Sequence, residues 1–171
     1  MEPPSTTFLI DEKLYLEFCA LTFRSLVWRC MRWMLPAILI AILLFAFSRE
    51  YGDLAMAAFV GVLAGLLVLG LQRLLLPSRG KKVYRESAAL QTPQILNIDD
   101  EGFVLKQEAG VWRSKWSQMV KWDETKNLVA IYPNRVMANL IPKNQVDPLI
   151  IDIIREHLVS SGLTKRGELR K

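Results

Sequence analysis

From Trp33 to Phe47 the chain reads WMLPAILIAILLFAF without a charge, and from Leu54 to Leu71 it reads LAMAAFVGVLAGLLVLGL, again without one. Only Arg49 to Asp53 (REYGD) stands between them as a polar break. A helix rises ~1.5 Å per residue, so the first run covers ~22 Å of a hydrocarbon core ~30 Å thick. Helix continuing back through Cys30 and Met31 supplies the missing length. The second run is long enough alone, and Leu74 to Leu76 extend it past Gln72 and Arg73. Neither has the polar face of a soluble core helix. A cleaved signal peptide fits poorly, because the first run starts late and another follows at once. The pattern predicts a transmembrane hairpin over residues 33–76, with spans at about 31–48 and 54–75. Pro36 lies in the first turns, where its missing N–H costs little.

Basic residues flank this block. Arg24, Arg29 and Arg32 precede it, and Arg73, Arg79, Lys81, Lys82 and Arg85 follow, whereas the connecting turn sets Arg49 against Glu50 and Asp53. That asymmetry places both termini on the cytoplasmic side. Trp28, Trp33 and Tyr51 stand where amphipathic rings favour the interface. Arg29, Arg32, Arg79, Lys81, Lys82 and Arg85 are then expected against anionic lipid headgroups. Ala37 and Ala41 on the first span, and Ala57, Gly61 and Gly65 on the second, form small-residue stripes. Such stripes let helices approach closely in lipid. The simpler use is to seat one span on the other; a homodimer through Gly61 and Gly65 is the alternative. No ionisable residue lies deep in either run, which argues against a transporter or channel.

The flanks read as soluble structure. Residues 1–32 hold an apolar run, Thr7 to Ile10, then Asp11 as an N-cap and a helix with apolar positions at Leu14, Phe18 and Leu21. That helix enters the membrane region and is open to being continuous with the first span. Within residues 77–161 the pattern changes to alternation. Strands are predicted at Ile95–Ile98, Phe103–Gln107, Val111–Trp116, Met119–Asp123, Leu128–Tyr132 and Val136–Ile141, with turns at Asp99–Gly102, Ala109–Gly110 and Pro133–Asn134. Val146, Leu149, Ile150, Ile153, Ile154 and Leu158 then form a helical stripe, with Asp152, Arg155 and Glu156 facing away. Gly162 ends that helix, and residues 162–171 are expected to be a flexible basic tail. The fold class is α+β: a helical hairpin plus a small antiparallel barrel or sheet closed by a C-terminal helix.

Composition narrows the chemistry. The chain of 171 residues is 51% hydrophobic and 23% charged, which excludes a disordered protein. It has one His and two Cys, so most metal and nucleophile chemistries lack their residues. His157 lies on the closing helix and reads as a boundary core residue. Cys19 and Cys30 are about three turns apart on one helix, too far for a disulfide. Asp99, Asp100 and Glu101 before Gly102 read as a turn before they read as a metal site. No zinc spacing or glycine-rich phosphate loop is present. Catalytic, cofactor and metal sites are therefore expected to be absent, and the protein is not expected to be an enzyme. The net charge of +5 is spread out, with no aromatic–basic motif to mark nucleic-acid binding. Trp112, Trp116 and Trp122 are the unusual feature. Trp116 is expected in the core, whereas Trp112 and Trp122 are candidates for an interface.

The segments IDDEGFV (Ile98–Val104), SKWSQMV (Ser114–Val120) and NLIPK (Asn139–Lys143), with TTFLIDEKLYLEF near the N-terminus, resemble the bacterial YcxB-like membrane proteins. The resemblance implies an inner-membrane location and a C-terminal domain of pleckstrin-homology type, with Thr7–Ile10 added as an edge strand. It implies no catalytic residue. The function expected is a non-enzymatic membrane protein whose cytoplasmic domain holds a protein or lipid partner at the membrane. Neutralisation of a bacterial toxin, as an immunity protein, is the alternative, and an accessory-subunit role is a third reading.

Overall fold

The computed structural model describes residues 5–47, 52–135 and 137–163. The chain divides into two compact units, one of Met1–Phe18 with Lys81–Lys171 and the other of Cys19–Gly80. Two long helices link them. Asp11 starts the first, accepting a hydrogen bond from the Leu14 N–H at 2.6 Å. Helix α1 then runs unbroken over Glu12–Phe47, so the amphipathic helix and the first apolar run are one element. Helix α2 spans Gly52–Glu86 and carries Pro77 within it. The tract of Arg79, Lys81, Lys82 and Arg85, expected beyond the span, therefore lies on the helix itself. Residues 48–51, which hold Tyr51 and most of the expected turn, lie outside the described residues, as do the side chains of Ala37 and Ala41. Among the described residues one helix, over Met56–Glu86, is long and apolar enough to cross a membrane, with a mean hydropathy of 2.1 and none of its apolar window buried.

The first unit is a mixed domain built from both ends of the chain. Strand β1 (Ser5–Phe8) precedes the helices. After them come a short helix α3 (Ala88–Gln91) and strands β2 (Gln94–Ile98), β3 (Gly102–Gln107), β4 (Gly110–Lys115), β5 (Lys121–Glu124), β6 (Leu128–Tyr132) and β7 (Asn139–Pro142), then helix α4 (Pro148–Ser160). Strands β1 to β4 form one antiparallel sheet in sequence order, and β5 to β7 form another. The expected closed barrel is not formed among the described residues. The break falls at Trp116–Gln118, a turn of 3-10 helix. There the Trp116 N–H still reaches the Glu101 carbonyl at 3.0 Å, as the β3–β4 ladder requires. Its ring is buried in the core, and the next strand, β5, belongs to the second sheet. Val136, expected to begin the last strand, lies outside the described residues.

Both sheets and α4 share a single core. Alternation is plain in β2, where Gln94, Leu96 and Ile98 are buried and Ile95 is exposed. Strand β6, central in its sheet, is buried along its whole length. Helix α4 begins at Asp147, whose side chain accepts from the Leu149 N–H at 2.9 Å, with Pro148 in the first turn. It ends at Gly162, with φ of +73°, where the Leu163 N–H returns to the Leu158 carbonyl at 3.1 Å. Its buried residues are Ile150, Ile151, Ile154 and Leu158. Leu149 and Ile153, expected on the core stripe, are exposed instead. The apolar stripe is wider than the face the sheets cover. Arg155, expected to face solvent, is half-buried against Glu124.

Side chains tie the two ends of the chain together inside this unit. Strand β1 pairs with β2, Thr7 opposite Ile95. Tyr84, near the end of α2, donates to the Ile10 carbonyl at 2.9 Å and packs on Tyr15 of α1. Lys81 and Arg85 each lie 3.6 Å from Glu12.

Candidate functional site

The three tryptophans have different environments. Trp116 lies between Phe103, at a ring separation of 5.3 Å, and His157, stacked at 5.2 Å, while its indole donates to the Asp99 carbonyl at 3.1 Å. Trp122 is also buried, its indole donating to the Leu163 carbonyl at 3.2 Å. The expectation of an interface at Trp122 is thereby corrected: β5 turns it inward, and the segment after α4 supplies the acceptor its N–H needs. Trp112 stays at the surface, 49% exposed.

The register explains why. On the core-facing side of the first sheet Leu96 stands opposite Leu105 and Leu105 opposite Trp112. The two leucines are sealed, but β4 is the last strand, so Trp112 has cover on one side only. Its six-membered ring lies beside Gly110, where an added Cβ would stand 3.5 Å from the indole. Gly110 also has φ of +152°, which a side chain would oppose.

The open edge of β4 is the feature that sequence reasoning missed. Paired residues of an antiparallel ladder alternately exchange hydrogen bonds with each other and turn their backbone groups outward. The bond from Trp116 N–H to Glu101 sets the phase, so Trp112 and Ser114 bond to β3. Val111, Arg113 and Lys115 therefore aim their backbone N–H and C=O at the open edge, and all three are exposed. Arg113 is held by Asp99 at 2.8 Å, with Glu101 at 3.8 Å. Asp99 also accepts from the N–H groups of Glu101 and Gly102, at 3.0 and 2.7 Å. The acidic run is a turn built on Asp99. A signal was present in GVWRSK, a strand with a large ring and two cations but no acid.

The remaining candidates lie apart from this edge. Arg29, Arg32, Arg79, Lys81, Lys82 and Arg85 are all exposed on the long helices. Lys81 and Arg85 share Glu12, and Lys82 is 3.9 Å from Glu86. Ala57 and Gly61 are exposed and Gly65 half-exposed on α2. A Cβ added at Gly61 would meet no atom within 4 Å. Cys19 and Cys30 are not in a disulfide. Among the described residues no group of three or more His, Cys, Asp or Glu could hold a metal ion.

The molecule is thus a small two-sheet domain with a closing helix, interrupted after its first strand by long helices of which one is apolar enough to span a membrane. Residues 98–158 match the family model described as YcxB-like protein, so the chain carries a YcxB-like domain. The match begins at the last residue of β2 and ends within α4, and it contains all three C-terminal motifs of the resemblance. No curated protein and no solved structure matches the chain.

Proposed function

We propose that the protein is a membrane-anchored, non-enzymatic binding module, whose YcxB-like domain holds a partner at the cytoplasmic face of a bacterial inner membrane. The observation that carries the reading is the pairing of β1 with β2 across the whole helical insert. Residues 18 and 81 belong to one domain, so a chain that leaves it into the bilayer must come back to the same side. Two helices of 36 and 35 residues, each ~50 Å long, suffice for one crossing out and one back. The basic residues near their domain-side ends suit a cytoplasmic, anionic leaflet. A four-stranded and a three-stranded antiparallel sheet followed by a helix is also the arrangement expected of a pleckstrin-homology-type domain, a scaffold used for binding. Toxin neutralisation, as an immunity protein, is the alternative reading.

Reporter fusions test the topology. Alkaline phosphatase joined at position 50 should be active outside, and a fluorescent protein joined after Lys171 should fluoresce inside. Phosphatase activity from the C-terminal position would overturn the reading. Binding is tested by photo-crosslinking residues placed at Trp112, Met137 and Leu149 of the full chain in intact cells. A discrete adduct in the membrane fraction is expected; none from any of the three positions would refute a binding role.

A further inference from the structure

We infer that the module binds by strand addition, taking an extended acidic segment of a partner protein onto the open edge of β4. The inference rests on the binding-module reading and names its site and the chemistry of its ligand. Three observations converge there. Val111, Arg113 and Lys115 turn their backbone groups away from β3, leaving a row of donors and acceptors with the spacing a further strand needs. Trp112, on the core-facing side, projects a half-exposed ring beyond the buried Leu105, a shelf for one apolar residue of an added strand. On the opposite side stand the exposed Arg113, Lys115 and Lys106; Arg113 is already paired with Asp99 and Glu101, whereas Lys115 and Lys106 have no ion pair among the described residues, and β4 carries no acid.

The charges decide the occupant. A second copy pairing through β4 would set Arg113 and Lys115 against their like, which destabilises cross-strand pairs. Lys115, which no described acid pairs, favours a carboxylate, with Lys106 on the same face and Arg113 able to share its charge beyond Asp99. Because strand side chains alternate, the complementary sequence alternates too: an acid beside Lys115, apolar residues beside Trp112. The competing explanation is that edge cations only prevent aggregation. It predicts that nothing adds to β4, whatever its charge.

The probe is a synthetic peptide of about eight residues alternating glutamate and valine, with a lysine–valine peptide as control. Hydrogen exchange is followed on the full chain in detergent micelles. The glutamate peptide should slow exchange at Val111, Arg113 and Lys115 by about tenfold or more, and the lysine peptide should not. Val111→Pro removes an N–H that β3 does not use, so it should keep the native tryptophan fluorescence and lose at least about tenfold in peptide affinity. Trp112→Ala should weaken binding similarly. Unchanged exchange at millimolar peptide, equal protection by both peptides, or full affinity in Val111→Pro would overturn the proposal. A cellular adduct from Met137 or Leu149 beside such a failure would leave the module reading standing with a different docking face.

Discussion

Gln145 holds both main-chain groups of Leu9, accepting from its N–H at 2.8 Å and donating to its carbonyl at 2.9 Å. The side-chain amide does there what a neighbouring strand would do, at the point where β1 ends. The two residues are 136 positions apart, so this pair of bonds helps to close the domain around its helical insert. Gln145→Ala should lower the domain's stability by about 1 kcal/mol, because both bonds are exposed to competing water. Amide exchange at Leu9 should accelerate more than exchange at β6. Equal acceleration at both would show that the bond has no local role.

Glu124 accepts from Lys143 and from Arg155 through one carboxylate oxygen, and its side chain is 9% exposed. Lys143 also donates to the Thr125 carbonyl at 2.6 Å. The cluster ties α4 to the second sheet. The hydrogen bond that Arg155 donates to Glu124 is the main reason the Arg155 pKa is raised above its ordinary value. Glu124→Ala would leave a mostly buried Lys143 without its carboxylate and should cost about 2–4 kcal/mol in denaturant unfolding. Asp152→Ala removes an exposed partner of the same arginine and should cost less than about 1 kcal/mol. The contrast between the two variants is the check.

Glu17 predicts a specific acid response. Burial raises its pKa, but hydrogen bonds from the Asn127 and Thr125 side chains, and from the Asn127 backbone, outweigh that and hold it below 4.5. A carboxyl with a depressed folded pKa adds stability above its unfolded pKa, and that stability is lost as pH falls through the folded value. Glu17→Gln should therefore be less stable than the native chain at neutral pH, with the difference shrinking below 4.5. A stability difference that grows on acidification would refute the assignment.

These interactions mark what a linear reading can and cannot reach. Strand β6 falls on the expected residues because both faces are buried and LVAIY is β-forming throughout. The cap at Asp11 and the stop at Gly162 were legible because each depends on chemistry within a few residues. Pairing between strands was not. Nothing in VWRSKWSQMV says that β4 ends a sheet and β5 begins another. The closing helix shows the same limit, since Leu149 and Ile151 are equally apolar and only the sheets decide which is covered. Trp122 could not be placed from the sequence, because its hydrogen-bond acceptor, Leu163, lies 41 residues away. Distant partners decide sides.

Gly102 and Gly61 supply the sharpest contrast between neighbouring demands on glycine. At Gly102 an added Cβ would stand 2.1 Å from the Ser114 carbonyl oxygen and 2.9 Å from the Lys115 Cα, both backbone atoms of β4. No rotamer change relieves a clash with backbone, so Gly102→Ala must part β3 from β4 at the turn built on Asp99. The cost should be about 2 kcal/mol or more, with faster exchange at the Gly102 and Trp116 amides. At Gly61 the space is open, and an alanine there removes a helix-weakening glycine. Gly61→Ala should leave the two-sheet domain unchanged and the monomer thermally no weaker. If Gly61→Ala instead altered crosslinking between copies, the small-residue stripe would be a contact between protein molecules. That outcome would revive the homodimer through Gly61 and Gly65.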